Sequence, residues 1–266
     1  MTSTTIDTQK YITELQNMLP QLQDLLRNPP VGFDQAGISY IQTAISGVTA
    51  LTSLSSESDV KNTLMTVYGL YEIVIQYILG PVEGLSKCTF VTADQTQAMN
   101  TAITNAQAIP ADIANLALIA LIQLTKQYQS CITELTQSMI PYLQVPQQLL
   151  AQWIPNVQLT TQQMTTATNI AQQAKQLSSS STPGEVNRIY SLLCTLSIEV
   201  RFGGSTTNSS FGGLSTTMWI GIAVAVVGIG GAIWYFTSDS KKSEIQETTY
   251  IKTKGKKTYY TPSNNF

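Results

Sequence analysis

Between Met218 and Phe236 the chain runs for nineteen residues, MWIGIAVAVVGIGGAIWYF, without a single charge. At a rise of about 1.5 Å per residue, a helix of this length reaches across most of a ~30 Å hydrocarbon layer. Leu214 to Thr217 can extend it. Trp219 stands at one end and Trp234 and Tyr235 at the other. Such rings favour the headgroup level, where one edge is apolar and the other wet. A core helix has no need of aromatic markers at both ends. The run is therefore expected to be a transmembrane helix, 218–236, with the lipid bilayer as its first partner.

Lysines fix the expected orientation. Lys241, Lys242, Lys252, Lys254, Lys256 and Lys257 come after the run, whereas the nearest basic residue before it is Arg201. Basic residues stay on the cytoplasmic side, which places the tail 237–266 inside and the larger N-terminal part outside. The N-terminus, MTSTTIDTQKY, is polar and has no h-region of a secretory signal. The span itself would then have to drive translocation, and a tail-anchored protein with its helical domain in the cytosol is the competing topology. Gly221, Ala225, Gly228 and Ala232 step by four, three and four along one face, where small residues let helices approach closely. Self-association in the membrane is the expectation. Residues 203–217, GGSTTNSSFGGLSTT, read as a flexible tether. It holds the chain's one N-x-S/T sequon, at Asn208, a glycosylation acceptor if this side is extracellular. The tail around Lys254-Gly255 alternates polar, aromatic and basic residues. That pattern is hairpin-like but marginal in isolation. Its lysines, with Tyr250, Tyr259 and Tyr260, suit anionic lipid, an inner protein layer or nucleic acid, or serve only to set topology.

Composition sharpens the picture. Charged residues make up 11% and histidine is absent, so the polar surface must be built from Thr, Ser, Gln and Asn. Hydroxyls and amides do not titrate, so such a surface keeps its solvation in acid, where a carboxylate-rich one loses charge. Without histidine the commonest general base and metal ligand are missing. The cysteines Cys88, Cys131 and Cys194 form no C-x-x-C pair, and no metal site or cofactor is expected. In an oxidising space three cysteines allow one disulfide and a leftover thiol, with no pairing favoured by spacing. In a cytosol they read as small apolar core residues.

Before the tether, helical periodicity dominates. Ile12, Leu15, Leu19, Leu22 and Leu26 step by three and four, with Pro20 expected to kink or split that helix and Asn28-Pro29-Pro30 to end it. Asp34 caps a second helix with Ile38, Ile41, Ile45 and Val48 inward. A third begins near Ser58, carries Val60, Leu64, Val67, Tyr71, Val74 and Ile78, and is expected to stop at Gly80-Pro81. Glu72 and Gln76 in its middle make it a core helix rather than a second span. Thr92 and Gln95 form a capping box for the helix with Met99 and Ile103. Pro110 suits the first turn of another, running to Pro141. Within it Ile113 to Leu124 is apolar on nearly every side, which predicts a central helix surrounded by others. A connector with Pro141, Pro146 and Pro155 comes after it. Next is a helix from about Thr160 to Leu177, packed through Met164, Ala167, Ile170, Ala171 and Ala174. Thr182-Pro183-Gly184-Glu185 opens the last, which ends near Val200. No strand alternation appears. Residues 1–202 thus read as an all-α domain, an irregular bundle of about six to eight helices.

No phosphate loop, nucleotide fingerprint, G-x-S-x-G elbow or H-E-x-x-H motif occurs. The acidic pair Glu57 and Asp59 belongs to a helix start. An enzyme is not expected. Residues 1–216 hold eight basic and thirteen acidic residues, net −5, and the remainder six and three, net +3. The helical domain therefore lacks an electrostatic footprint for nucleic acid.

In layout and composition the chain resembles single-pass virion membrane proteins of viruses that infect hyperthermophilic, acid-living archaea. The likeness rests on a Thr/Gln/Ser-rich, histidine-free helical domain before one C-terminal span, and carries over no residue roles. It implies a non-enzymatic structural or attachment protein of a viral envelope or cell surface, homo-oligomeric or joined to other envelope proteins. The alternatives are a fusogen or pore former that releases 113–124, and a tail-anchored intracellular adaptor.

Overall fold

The computed structural model describes residues 7–109 and 116–202. The expected tether, span and tail, with Asn208 and the six lysines, lie outside these residues, as do the small-residue face and the first three positions of 113–124. Among the described residues there are eight helices and no strand: α1 (Thr8–Arg27), α2 (Gln35–Ala50), α3 (Glu57–Ser86), α4 (Ala93–Gln107), α5 (Leu118–Leu143), α6 (Pro146–Trp153), α7 (Thr161–Ala174) and α8 (Pro183–Phe202).

Helix starts are where the sequence carries its clearest instructions. The Asp34 carboxylate accepts from the Gly37 amide at 2.8 Å. Ser56 with Asp59, Thr92 with Gln95 and Thr160 with Gln163 each form a reciprocal capping box. Thr182 and Glu185 do the same at α8, with amide bonds of 2.7 and 3.2 Å. Each satisfies amide groups that a helix end would otherwise leave open.

Three prolines behave differently from expectation. Pro20, Pro81 and Pro141 all lie inside helices that continue past them. An interior proline costs roughly 3 kcal/mol through the lost amide bond and the ring clash. Burial on the far side of each one offsets this: Leu22 and Leu25, Val82 and Leu85, and Tyr142 and Leu143 are all in the core. Two such side chains bring about 3–6 kcal/mol of burial. The carbonyls freed four residues back belong to Gln16, Tyr77 and Gln137, none of them buried, so water can serve them. The connector expected around Pro146 is instead the two-turn α6, with Pro146 in its first turn and Leu149 and Leu150 buried. In α7 Ala167, Ile170 and Ala174 face the core, but Met164 is exposed and only accepts from the Gln147 amide through its sulfur.

α3 and α5 form the centre. α3 packs on α1, α2, α4 and α5, and α5 on α3, α4, α6, α7 and α8. Tyr68 and Tyr128 meet edge to face, 4.7 Å between centroids, and Tyr71 donates to the Gln21 side-chain oxygen at 3.2 Å. Two further contacts show that the helices run parallel. The pKa of Tyr142, late in α5, is raised by burial first and then by Cys88, just past α3, which therefore lies nearby. Glu14 pairs with Lys126 at 2.7 Å while Gln21 reaches Tyr71, so α1 advances in the same sense. α8 joins them: it starts beside Asp24 of α1, and Arg201 near its end donates to the Trp153 carbonyl of α6. The long helices therefore give the bundle two distinct ends. The α2–α3 loop and the start of α5 lie at one, and Phe202 lies at the other.

α3 is the one helix among the described residues long and apolar enough to cross a membrane by length and composition. Half of its most apolar stretch, of mean hydropathy 1.2, is buried inside the bundle.

Candidate functional site

Cys88 and Cys194 gather around Tyr190 toward the end where Phe202 lies, whereas Cys131 lies midway along α5, near Tyr128. Cys88 and Cys131 are buried and Cys194 half-buried; all three are free thiols. Burial pushes the Cys88 thiol up to about 11 and Cys131 upward as well. Although residue 194 keeps some surface, its thiol sits beside Tyr190, and burial raises it to about 12. Tyr190 in turn is raised well above its usual range by burial first, then by Cys194 and Cys88. At neutral pH these are protonated groups, and a protonated thiol is a poor nucleophile and a poor metal ligand. No cluster of metal-ligating side chains occurs among the described residues.

Two buried polar atoms complete this region without completing its hydrogen bonds. The Tyr142 hydroxyl and the Asn187 side-chain amide have no partner of good geometry among the described residues. The Thr96 hydroxyl is near enough to Tyr142 to bear on its acidity. A buried polar group left unpaired costs about 1–3 kcal/mol.

A long-range clamp joins the first and last helices, and no sequence motif announces it. Asp24 on α1 accepts from the Gly184 amide at 2.7 Å and from the Thr182 hydroxyl at 3.1 Å. A carboxylate set on the start of α8 also suits its dipole. A Cβ at position 184 would run into that carboxylate, so glycine is what allows the approach. Glycine directly after Pro183, where a helix former is expected, was the available signal.

The segment 113–124 is less enclosed than its composition predicts. α5 begins at Leu118, not at Pro110, and Ala117 offers no side chain to cap it. Leu118, Leu121 and Ile122 are buried, but Ile119 is 57% exposed and Gln123 exposed. The reason is position. This first turn lies at the bundle's end, where fewer of the described helices surround it, and the enclosed part of α5 comes later, around Ile132 to Met139. At the same end of the bundle, the α2–α3 loop holds Leu54 at 93% exposure.

Surface depressions are shallow and lined by hydroxyls and amides. One lies over Thr161, Thr165, Thr168 and Asn169 of α7, and others along α4. The groove between α4 and α5 includes Asp94 and Glu134, and Glu134 is held by Asn105 at 3.2 Å and Ser130 at 3.2 Å. Searches against protein-family models, curated proteins and solved structures found no match to this chain.

Proposed function

We propose that this chain is a non-enzymatic, membrane-anchored structural or attachment protein. Its helical bundle stands off the bilayer on the 203–217 tether, and the 218–236 run anchors it. The observation that carries the reading is the uncharged run framed by Trp219, Trp234 and Tyr235. It is supported by a bundle with its own core, whose last helix ends at Phe202, immediately before the tether. The lysine-rich tail then faces the interior, against anionic lipid or an inner protein layer. Gly221, Ala225, Gly228 and Ala232 give the spans a face for self-association. The archaeal virion envelope is the setting that the composition suits best.

Two measurements test this. The full chain should resist alkaline carbonate extraction and yield only to detergent. Protease added to intact particles or cells should remove the bundle and leave a fragment that carries the tail. Extraction by carbonate alone sinks the anchor, and a fully shielded bundle gives the tail-anchored adaptor instead.

The membrane-remodelling reading keeps one specific support, the exposed Ile119 at the start of α5. Leakage of vesicles on adding the protein at low pH would favour it over a passive role.

A further inference from the structure

Sulfur is the atom of a protein most open to oxidation, and among the described residues the fold leaves one sulfur within easy reach. Met18, Met99 and Met139 are buried, and Met65 is half-buried against the core. Cys88 and Cys131 are buried and Cys194 half-buried, and burial raises all three thiols above their ordinary range. The thiolate is the form that reacts with a peroxide, so these groups are slow at neutral pH. Met164 is 42% exposed. A thioether has no proton to lose, so its reactivity follows access to solvent.

That sulfur also holds two helices together. It accepts from the Gln147 side-chain amide at 3.0 Å, and this is the one hydrogen bond between α6 and α7 among the described residues. On its open side Met164 lines a shallow depression with Leu159, Thr161, Thr165, Thr168 and Asn169. The Thr165 and Thr168 hydroxyls donate to the Thr161 and Met164 carbonyls, each at 2.9 Å. With those hydrogens committed, their oxygens present lone pairs to a small donor such as hydrogen peroxide. An oxidant thus meets acceptors beside the sulfur it attacks.

We infer that Met164 is a site of reversible oxidation by peroxides, and that its sulfoxide holds the Gln147 amide more firmly and tightens α6 against α7. A sulfur lone pair attacks one peroxide oxygen, and the O–O bond breaks as the S–O bond forms. The proton on the transferred oxygen passes to the other oxygen, which leaves as water. Sulfur gives up two electrons and the peroxide gains them. A thioether is a weak acceptor, whereas the sulfoxide is polar and its oxygen accepts well. Three rotatable bonds let the side chain turn that oxygen to the amide, and Gln147 is itself exposed and can follow it. Leu149 and Leu150 hold the other side of α6 in the core, so oxidation at Met164 adds to the packing there and removes none of it. Methionine sulfoxide reductases, which draw on thiols, restore the thioether.

The test treats the full chain in detergent with hydrogen peroxide at neutral pH and follows peptide masses with time. One oxygen should appear on Met164 about tenfold faster than on Met18, Met99 or Met139. Hydrogen exchange of the α6 amides should then slow about fivefold, as one strengthened hydrogen bond allows. Reductases of both stereospecificities should restore the original rate. Met164→Leu takes the sulfur from an exposed position and leaves the core intact, and its α6 exchange should not respond to peroxide. Gln147→Leu should still gain oxygen at Met164 but show no slowing. Core methionines oxidised as fast as Met164 overturn the inference, as does α6 exchange that is unchanged or faster in the oxidised wild type. Slowing that persists in either variant also overturns it, because the effect then comes from another contact.

Discussion

Gly184 shows how much can hang on one missing atom. Its amide and the neighbouring Thr182 hydroxyl hold the Asp24 carboxylate, and a methyl group there would meet that carboxylate directly. Gly184→Ala should destabilise the bundle by about 1–3 kcal/mol, the usual cost of overpacking. The same change in an Asp24→Ala background should cost much less, because the group it strikes is gone. A double-mutant cycle by chemical denaturation measures that coupling. Tyr142 makes the opposite case. Its hydroxyl is buried without a bond of good geometry, so Tyr142→Phe should leave stability unchanged or raise it by about 1 kcal/mol. Beyond the glycine after Pro183, neither feature was legible in the sequence, because both depend on residues far apart along the chain. The Asp24–Gly184 bond spans 160 positions, and no local pattern encodes it.

At the scale of elements, the sequence is most informative where chemistry is local. Asp34, Thr92, Thr160 and Thr182 each sit within three residues of the group they cap, and all four helix starts are where the side chains say. Thr92→Ala and Thr160→Ala should each cost about 1 kcal/mol, read as a lower melting temperature with the fold retained. Helix ends at proline were less legible. Pro20, Pro81 and Pro141 signal breaks, yet the apolar stripe continues beyond each and packing outweighs the local penalty. The start of α5 misled for the converse reason. Ile113 to Leu124 looks uniformly apolar, but among the described residues no helix covers the outer face of α5 at its start, and Ile119 is exposed. Composition reports what a segment would bury, and topology decides whether a neighbour is there to bury it against.

For the whole molecule, stability should be lost on the alkaline side. Histidine is absent. Cys88 and Cys194 are raised from an ordinary value near 9 to about 11 and about 12, and burial raises the phenols of Tyr71, Tyr128 and Tyr190. The folded chain keeps these protons after the unfolded chain has lost them. Their contribution is therefore complete below about pH 9 and disappears as pH rises through 11 to 12. Asp59 acts in the other sense. Its carboxyl is lowered by the Ser56 hydroxyl and amide, so its contribution is present above the ordinary carboxylate range and fades as pH falls. Melting followed by circular dichroism from pH 3 to 12 should show a steeper fall above pH 9 than below pH 4. The surface has a further property that residue counts conceal. Threonines at 13, 43, 49, 66, 101, 104, 165 and 168 each turn the hydroxyl back to the carbonyl four residues earlier. With its one hydrogen committed to the backbone, each of these side chains offers water mainly a methyl group and a lone pair. A coat that looks hydrophilic on paper thus grips solvent loosely, and crowded neighbours could slide together while displacing little bound water.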